Sequence, residues 1–135
     1  MKTVVAGALG ECVHVAGVTN FLRLAKQAGW RTVFLGPAVS IDEFLESAKR
    51  ENADLVGVSY RLTPDTGERL LGEFAEDADE LYHQGVRFAF GGTPPIVERA
   101  KSLGFFEACF VRAVRSSNCE QETDVYPYRP RQSAA

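Results

Sequence analysis

Short apolar runs alternate along the chain with segments whose apolar residues recur at helical spacing. TVVAGA, residues 3–8, reads as a first strand. From Val18 to Ala28 the residues Val18, Phe21, Leu22 and Ala25 share one helical face, and Gly29 offers a stop. RTVFLG, residues 31–36, reads as a second strand. SIDEFLESAKR, residues 40–50, carries the fullest set of helix signals. Ser40 is placed to cap it, Glu43 to complete a capping box, and Ile41, Phe44, Leu45 and Ala48 form the apolar stripe. Asp42 and Glu43 in its first turn and Lys49 and Arg50 in its last complement the helix dipole. DLVGVS, residues 54–59, is apolar enough for a strand buried on both faces. The spacing then predicts one long helix over 65–84, with Leu70, Leu71, Phe74, Ala78 and Leu81 inward. Gly67 and Gly72 weaken its first half, and Gly85 ends it. RFAFGG, residues 87–92, is a fourth strand, Pro94 and Pro95 suit the first turn of a helix over 94–104, and FFEACFV, residues 105–111, is a fifth strand.

Strict strand–helix alternation implies a parallel sheet with helices on both faces and right-handed crossovers. Five strands at this length predict a doubly wound, flavodoxin-like (Rossmann-like) α/β fold with strand order 2-1-3-4-5. The predicted domain covers residues 1–115. Residues 116–135, polar and without a clear period, read as a tail or linker, with AVRSSNCEQE as a weak candidate for a closing helix. The aromatic residues Trp30, Phe34, Phe44 and Phe74 are assigned to the core and His83 to the surface.

Composition narrows the function classes. A chain of 135 residues with 45% apolar content can bury an ordinary core. A net charge of -3 gives no footprint for nucleic acid, and no apolar run reaches membrane-spanning length. The N-terminus becomes charged too early for a signal peptide. Three widely spaced cysteines (Cys12, Cys109 and Cys119) make neither a disulfide framework nor a zinc pattern, so a reducing cytoplasm is the expected location.

In such sheets ligands bind beyond the carboxyl ends of the strands. The loops that meet there are GALGECVHVAG, SYRLTPDTG and GGTPP, all rich in small or turn-forming residues. No dinucleotide-binding glycine fingerprint, P-loop or nucleophile elbow is present. Ser59 stands where a phosphate-accepting aspartate would be needed. A Cys12–His14 nucleophile pair is disfavoured, because side chains at i and i+2 in a loop rarely reach hydrogen-bond geometry.

Taken together, the three loops resemble the cobalamin-binding domain family, which includes the small subunits of glutamate mutase-type enzymes and the cobalamin domains of methylmalonyl-CoA mutase and methionine synthase. That family carries Asp-x-His-x-x-Gly, then Ser-x-Leu, then Gly-Gly. Here CVHVAG supplies His14 and Gly17, SYRLTP supplies Ser59, and FGG supplies Gly91 and Gly92, in the family's order. The resemblance covers roughly residues 2–110. It implies that His14 replaces the cofactor's benzimidazole as lower ligand to cobalt, a role suited to neutral imidazole. It further implies that the displaced tail enters a slot between the first and third strands, where Ser59 meets the benzimidazole and Gly91 and Gly92 let the backbone lie close. Two positions depart from the pattern. Cys12 occupies the place of the aspartate that holds the histidine, and Arg61 that of the leucine.

The resemblance implies a cofactor-carrying component, not catalytic alone, that presents cobalt to a catalytic, substrate-binding subunit or domain and is able to assemble with copies of itself. Adenosylcobalamin in a mutase (isomerase) is preferred to methylcobalamin in a methyl carrier. Methyl carriers of the family commonly hold a helical cap ahead of this domain, and here the chain opens on the first strand. The alternative from another class is a sensor or binding module in which Cys12 and Arg61 mark a changed slot.

Overall fold

The computed structural model describes residues 1–114 and 121–127. Five parallel strands, β1 (Thr3–Leu9), β2 (Arg31–Val39), β3 (Leu55–Tyr60), β4 (Arg87–Gly92) and β5 (Ala108–Val114), lie in the order β2-β1-β3-β4-β5. A sixth, β6 (Gln121–Pro127), runs antiparallel along the outer edge of β5. The parallel order is the flavodoxin-like one expected from the alternation. β6 is an addition, in a segment where the sequence predicts only a polar tail. Thr123, Val125 and Tyr126 favour a strand, but the acidic residues between and before them hide any alternation. The candidate closing helix falls largely outside the described residues.

Helices cover both faces. Helix α1 (Ala16–Gln27) sets Val18 and Leu22 against Val4 and Ala6 of β1. On the opposite face α2 (Ile41–Arg50), α3 (Pro64–Asp77), α4 (Asp79–His83) and α5 (Pro94–Leu103) enclose the main core. The phenylalanines organise that core. Phe74 makes edge-on ring contacts with Phe44, Phe88 and Phe105 at centroid distances of 5.6, 5.8 and 6.4 Å.

Local signals explain most boundaries. Ser40 Oγ accepts the Glu43 N–H at 3.2 Å, so the cap of α2 forms. The return arm of the box is altered, because the Ser40 hydroxyl donates to Glu43 Oε1 at 3.3 Å. Gly29 and Gly85 take φ of 94° and 101°, as helix stops require. The single long helix expected over 65–84 is two helices, divided at Ala78. Asp77 would close a helix at its negative end, whereas Asp79 and Glu80 suit the start of a new one, so the charges favour a restart. The fifth strand begins at Ala108; Phe105 and Phe106 are buried in the loop before it. Phe34, assigned to the core from sequence, is 48% exposed because β2 is the outermost parallel strand. Trp30 is half-buried, while Phe44 and Phe74 are fully buried.

Candidate functional site

The register of the sheet makes the site. On the α1 face, Ala6 of β1 stands beside Gly57 of β3, Gly57 beside Ala89 of β4, and Ala89 beside Ala108 of β5. One step nearer the carboxyl ends, Ala8, Ser59, Gly91 and Phe110 are neighbours in the same way. Nearly every side chain in these two rows is small. Ala6, Gly57, Ser59, Ala89, Gly91 and Phe110 of these rows border an apolar cavity of about 150 Å³. Gly17, Asn20, Phe21 and Leu24 of α1 wall it on one side, the Phe110 ring meets that of Phe21 edge-on at 5.6 Å, and Arg61 stands just beyond the end of β3. An apolar cavity of ~150 Å³ is known to take up a benzene-sized ring.

Glycine has different work at each position. A Cβ on Gly57 would stand 3.0 Å from the Phe21 ring, inside the cavity. One on Gly91 would meet nothing closer than Phe110 at 3.9 Å, so Gly91 leaves open space. Gly92 points to the other face, where a Cβ would lie 2.5 Å from the Tyr60 carbonyl oxygen. Its lack of a side chain is a packing need between β3 and β4, although its backbone also borders the cavity.

His14 lies on the turn that joins β1 to α1, three residues before Gly17, and is exposed. That turn is pinned to the end of β2: Gly10 N–H donates to the Val39 carbonyl at 2.8 Å, and Ala38 N–H to the Cys12 carbonyl at 2.9 Å. Cys12 is fully buried, and its Sγ is 3.6 Å from His14 Nδ1. The expectation that residues i and i+2 would not meet is therefore corrected. The turn, closed by Cys12 N–H donating to the Leu9 carbonyl at 3.1 Å, folds the two side chains together. Cys12 thus lies on the Nδ1 side of the imidazole. If the proton rests on Nδ1, facing sulfur, Nε2 keeps its lone pair for a metal. Among the described residues no three acidic, cysteine or histidine side chains cluster as a metal site, so His14 offers a single ligand. A single imidazole would suit a metal that brings its other ligands with it.

Of the residues singled out from sequence, Gly17, Ser59, Arg61, Gly91 and Gly92 border one cavity. His14 and Cys12 form a separate pair on the adjoining turn. Sequence reasoning missed Ala6, Gly57, Ala89 and Phe110 of the floor and Asn20, Phe21 and Leu24 of the wall. The signal for the floor was present as small residues at every second position of three strands, unreadable until the register is known.

Cys109 lies on the other face, and burial raises its thiol from the ordinary 9.0 to about 11. It stays protonated at neutral pH. Among the described residues no helix is long and apolar enough to cross a membrane.

A model of the B12 binding domain matches residues 2–114. The chain belongs to the B12-binding domain family. Relatives of two kinds are similar to it. Dimethylamine corrinoid protein 1 of Methanosarcina acetivorans is 30% identical over 105 residues, covering 77% of this chain and 48% of that protein. The glutamate mutase sigma subunit of Clostridium tetanomorphum is 29% identical over 112 residues, covering 77% of this chain and 80% of the subunit. The chain thus spans about half the length of the corrinoid protein it matches. Among solved structures, a cobalamin-binding protein from Desulfitobacterium hafniense DCB-2 superposes with a TM-score of 0.63 at 19% identity, over 73% of this chain and 49% of that one. The methanol:cobalamin methyltransferase complex MtaBC from Methanosarcina barkeri gives 0.56 at 25% identity, over 73% and 38%. Cobalamin is the ligand that membership of the B12-binding domain family supports.

Proposed function

We propose that this B12-binding domain holds cobalamin with the cofactor's benzimidazole displaced and His14 as the lower ligand to cobalt, and that it offers the upper face to a substrate-binding partner in an adenosylcobalamin-dependent mutase. The observation that carries this reading is the cavity of small residues opening beside the His14 turn. In this reading His14 donates through Nε2 while Cys12 Sγ accepts from Nδ1–H. Gly17, Ser59, Gly91 and Gly92 surround the displaced tail, and the Ser59 hydroxyl supplies a hydrogen bond to its heterocycle. Val13 and Leu62, 62% and 38% exposed on the loops after β1 and β3, lie under the macrocycle. When bound, adenosylcobalamin supplies a cobalt–carbon bond that opens to a carbon radical. Among the described residues no carboxylate or imidazole borders the cavity, so acid–base work on a substrate falls to the partner. Similarity to glutamate mutase sigma subunits supports the mutase, and the free buried thiols Cys12 and Cys109 suit a reducing cytoplasm. Similarity to dimethylamine corrinoid proteins supports a second reading, a methylcobalamin carrier.

The test is to mix the protein separately with adenosylcobalamin, methylcobalamin and hydroxocobalamin, desalt, and record visible spectra. Retained corrinoid with a base-off, His-on spectrum is expected. His14→Ala should lose the nitrogen-ligated bands and weaken binding about ten-fold or more. Preference for methylcobalamin by ten-fold or more would favour the carrier, and retention of none at high micromolar concentration would sink both readings.

A further inference from the structure

Among the described residues nothing neutralises Arg61, a cation at the mouth of an apolar slot. It follows Tyr60, the last residue of β3, and its half-buried side chain borders the cavity together with Ser59 and Gly91. The other arginines whose side chains are described have partners. Arg31 and Arg50 meet Glu51, Arg69 meets Glu73, Arg87 meets Glu107, and Arg23 donates to Asn20. The first acids after it in sequence, Asp65 and Glu68, are both taken by Arg99, at 2.7 and 3.2 Å. Arg61 makes no hydrogen bond or ion pair with any described residue, and no described acid borders the cavity. A half-buried guanidinium without a counter-charge is costly unless a ligand brings one.

The dimensions say where that charge belongs. From Gly57 on the floor to Arg61 at the lip is four strand steps, about 13 Å. Apolar groups, Ala6, Phe21, Ala89 and Phe110, line the deep part, and the one cation among the described lining residues stands at the mouth. A matching ligand is apolar and flat at its far end and anionic nearer the opening. In the nucleotide tail of a complete corrinoid the heterocycle is at the end, and a phosphodiester lies between it and the ring. We infer that Arg61 grips this phosphodiester, so that the domain selects corrinoids carrying a phosphorylated tail over those without one. The inference rests on the cobalamin reading above. The planar guanidinium fork, with five donors, is suited to two phosphate oxygens at once, which the leucine of the family pattern cannot hold.

The test compares aquocobalamin, aquocobinamide phosphate and aquocobinamide, which has no phosphate, by equilibrium dialysis against the wild type, Arg61→Leu and Arg61→Lys. A charge-assisted contact predicts that the wild type prefers cobinamide phosphate to cobinamide by about ten-fold or more. In Arg61→Leu the ratio should fall to within about two-fold while cobinamide itself binds as before, and Arg61→Lys should keep part of the preference. Raising the salt from 0.05 to 0.5 M should shrink the wild-type ratio and leave that of Arg61→Leu unmoved. A ratio unchanged by Arg61→Leu, with corrinoids still bound, overturns the role of Arg61 alone. Failure of all three compounds to bind the wild type overturns the cobalamin reading and this inference with it.

Discussion

The two faces of the sheet use the same strands to opposite ends. Toward α2, α3 and α5, the register sets Val5 beside Val56 and Val56 beside Phe88, then Val58 beside Phe90 and Phe90 beside Cys109. Toward α1, one residue along each strand, the sequence is Ala6, Gly57, Ala89 and Ala108. Large side chains fill the first face and fix the helices to it. Small ones leave the second face hollow beneath α1. Because strand side chains alternate strictly, a single residue step separates a position that holds the fold together from one that makes room for a ligand.

The sharpest break in that symmetry is at Phe74. Its ring touches three other rings in the main core, so Phe74→Ala should cost about 3–5 kcal/mol in urea unfolding. A loss under 1 kcal/mol would mean that this face is not where stability resides. Next come adjacent glycines on opposite faces. Gly92→Ala drives a methyl toward the Tyr60 carbonyl and should cost about 1–3 kcal/mol. Gly91→Ala meets nothing nearer than 3.9 Å and should leave stability within about 0.5 kcal/mol, while Gly91→Leu should abolish corrinoid retention in a folded protein. Equal melting temperatures for Gly91→Ala and Gly92→Ala would contradict the division of faces. A further effect is alkaline. Folded Cys109 keeps its proton to about 11, whereas the unfolded chain releases it near 9.0. Its contribution is therefore intact below pH 9 and is lost as pH rises toward 11, amounting to about 1 kcal/mol at pH 10. Cys109→Ala should lose less stability between pH 8 and pH 10 than the wild type does; matching losses would place this thiol in water.

The filled face was legible in the sequence and the hollow one was not. Phe44, Leu71 and Phe74 declare themselves by helical period, and the signals at Ser40, Gly85 and Pro94 lie within a few residues of the turns they govern. Ala6, Gly57 and Ala89 are separated by more than thirty residues at each step and become one surface only through pairing. The sequence marked the cavity's rim at Gly17, Ser59 and Gly91, where loops cluster small residues, but not its depth. Cys12 was legible as a substitution, yet its contact with His14 depends on a turn that no period describes. The break at Ala78 was missed because its apolar stripe continues across the interruption, and only the charges around it change sense.

The end of β2 has a further consequence. β2 is one edge of the described sheet, and Gly36-Pro37-Ala38 bends it. Gly36 and Ala38 take φ of 92° and 54°, and the pairing with β1 slips twice alongside. Proline offers no amide hydrogen, and the bent backbone turns its neighbours off the strand line. A flat, regular border there would invite another chain to add a strand of its own. The distortion that ties the His14 turn in place also leaves that end of β2 without the flat, regular border that an added strand would need.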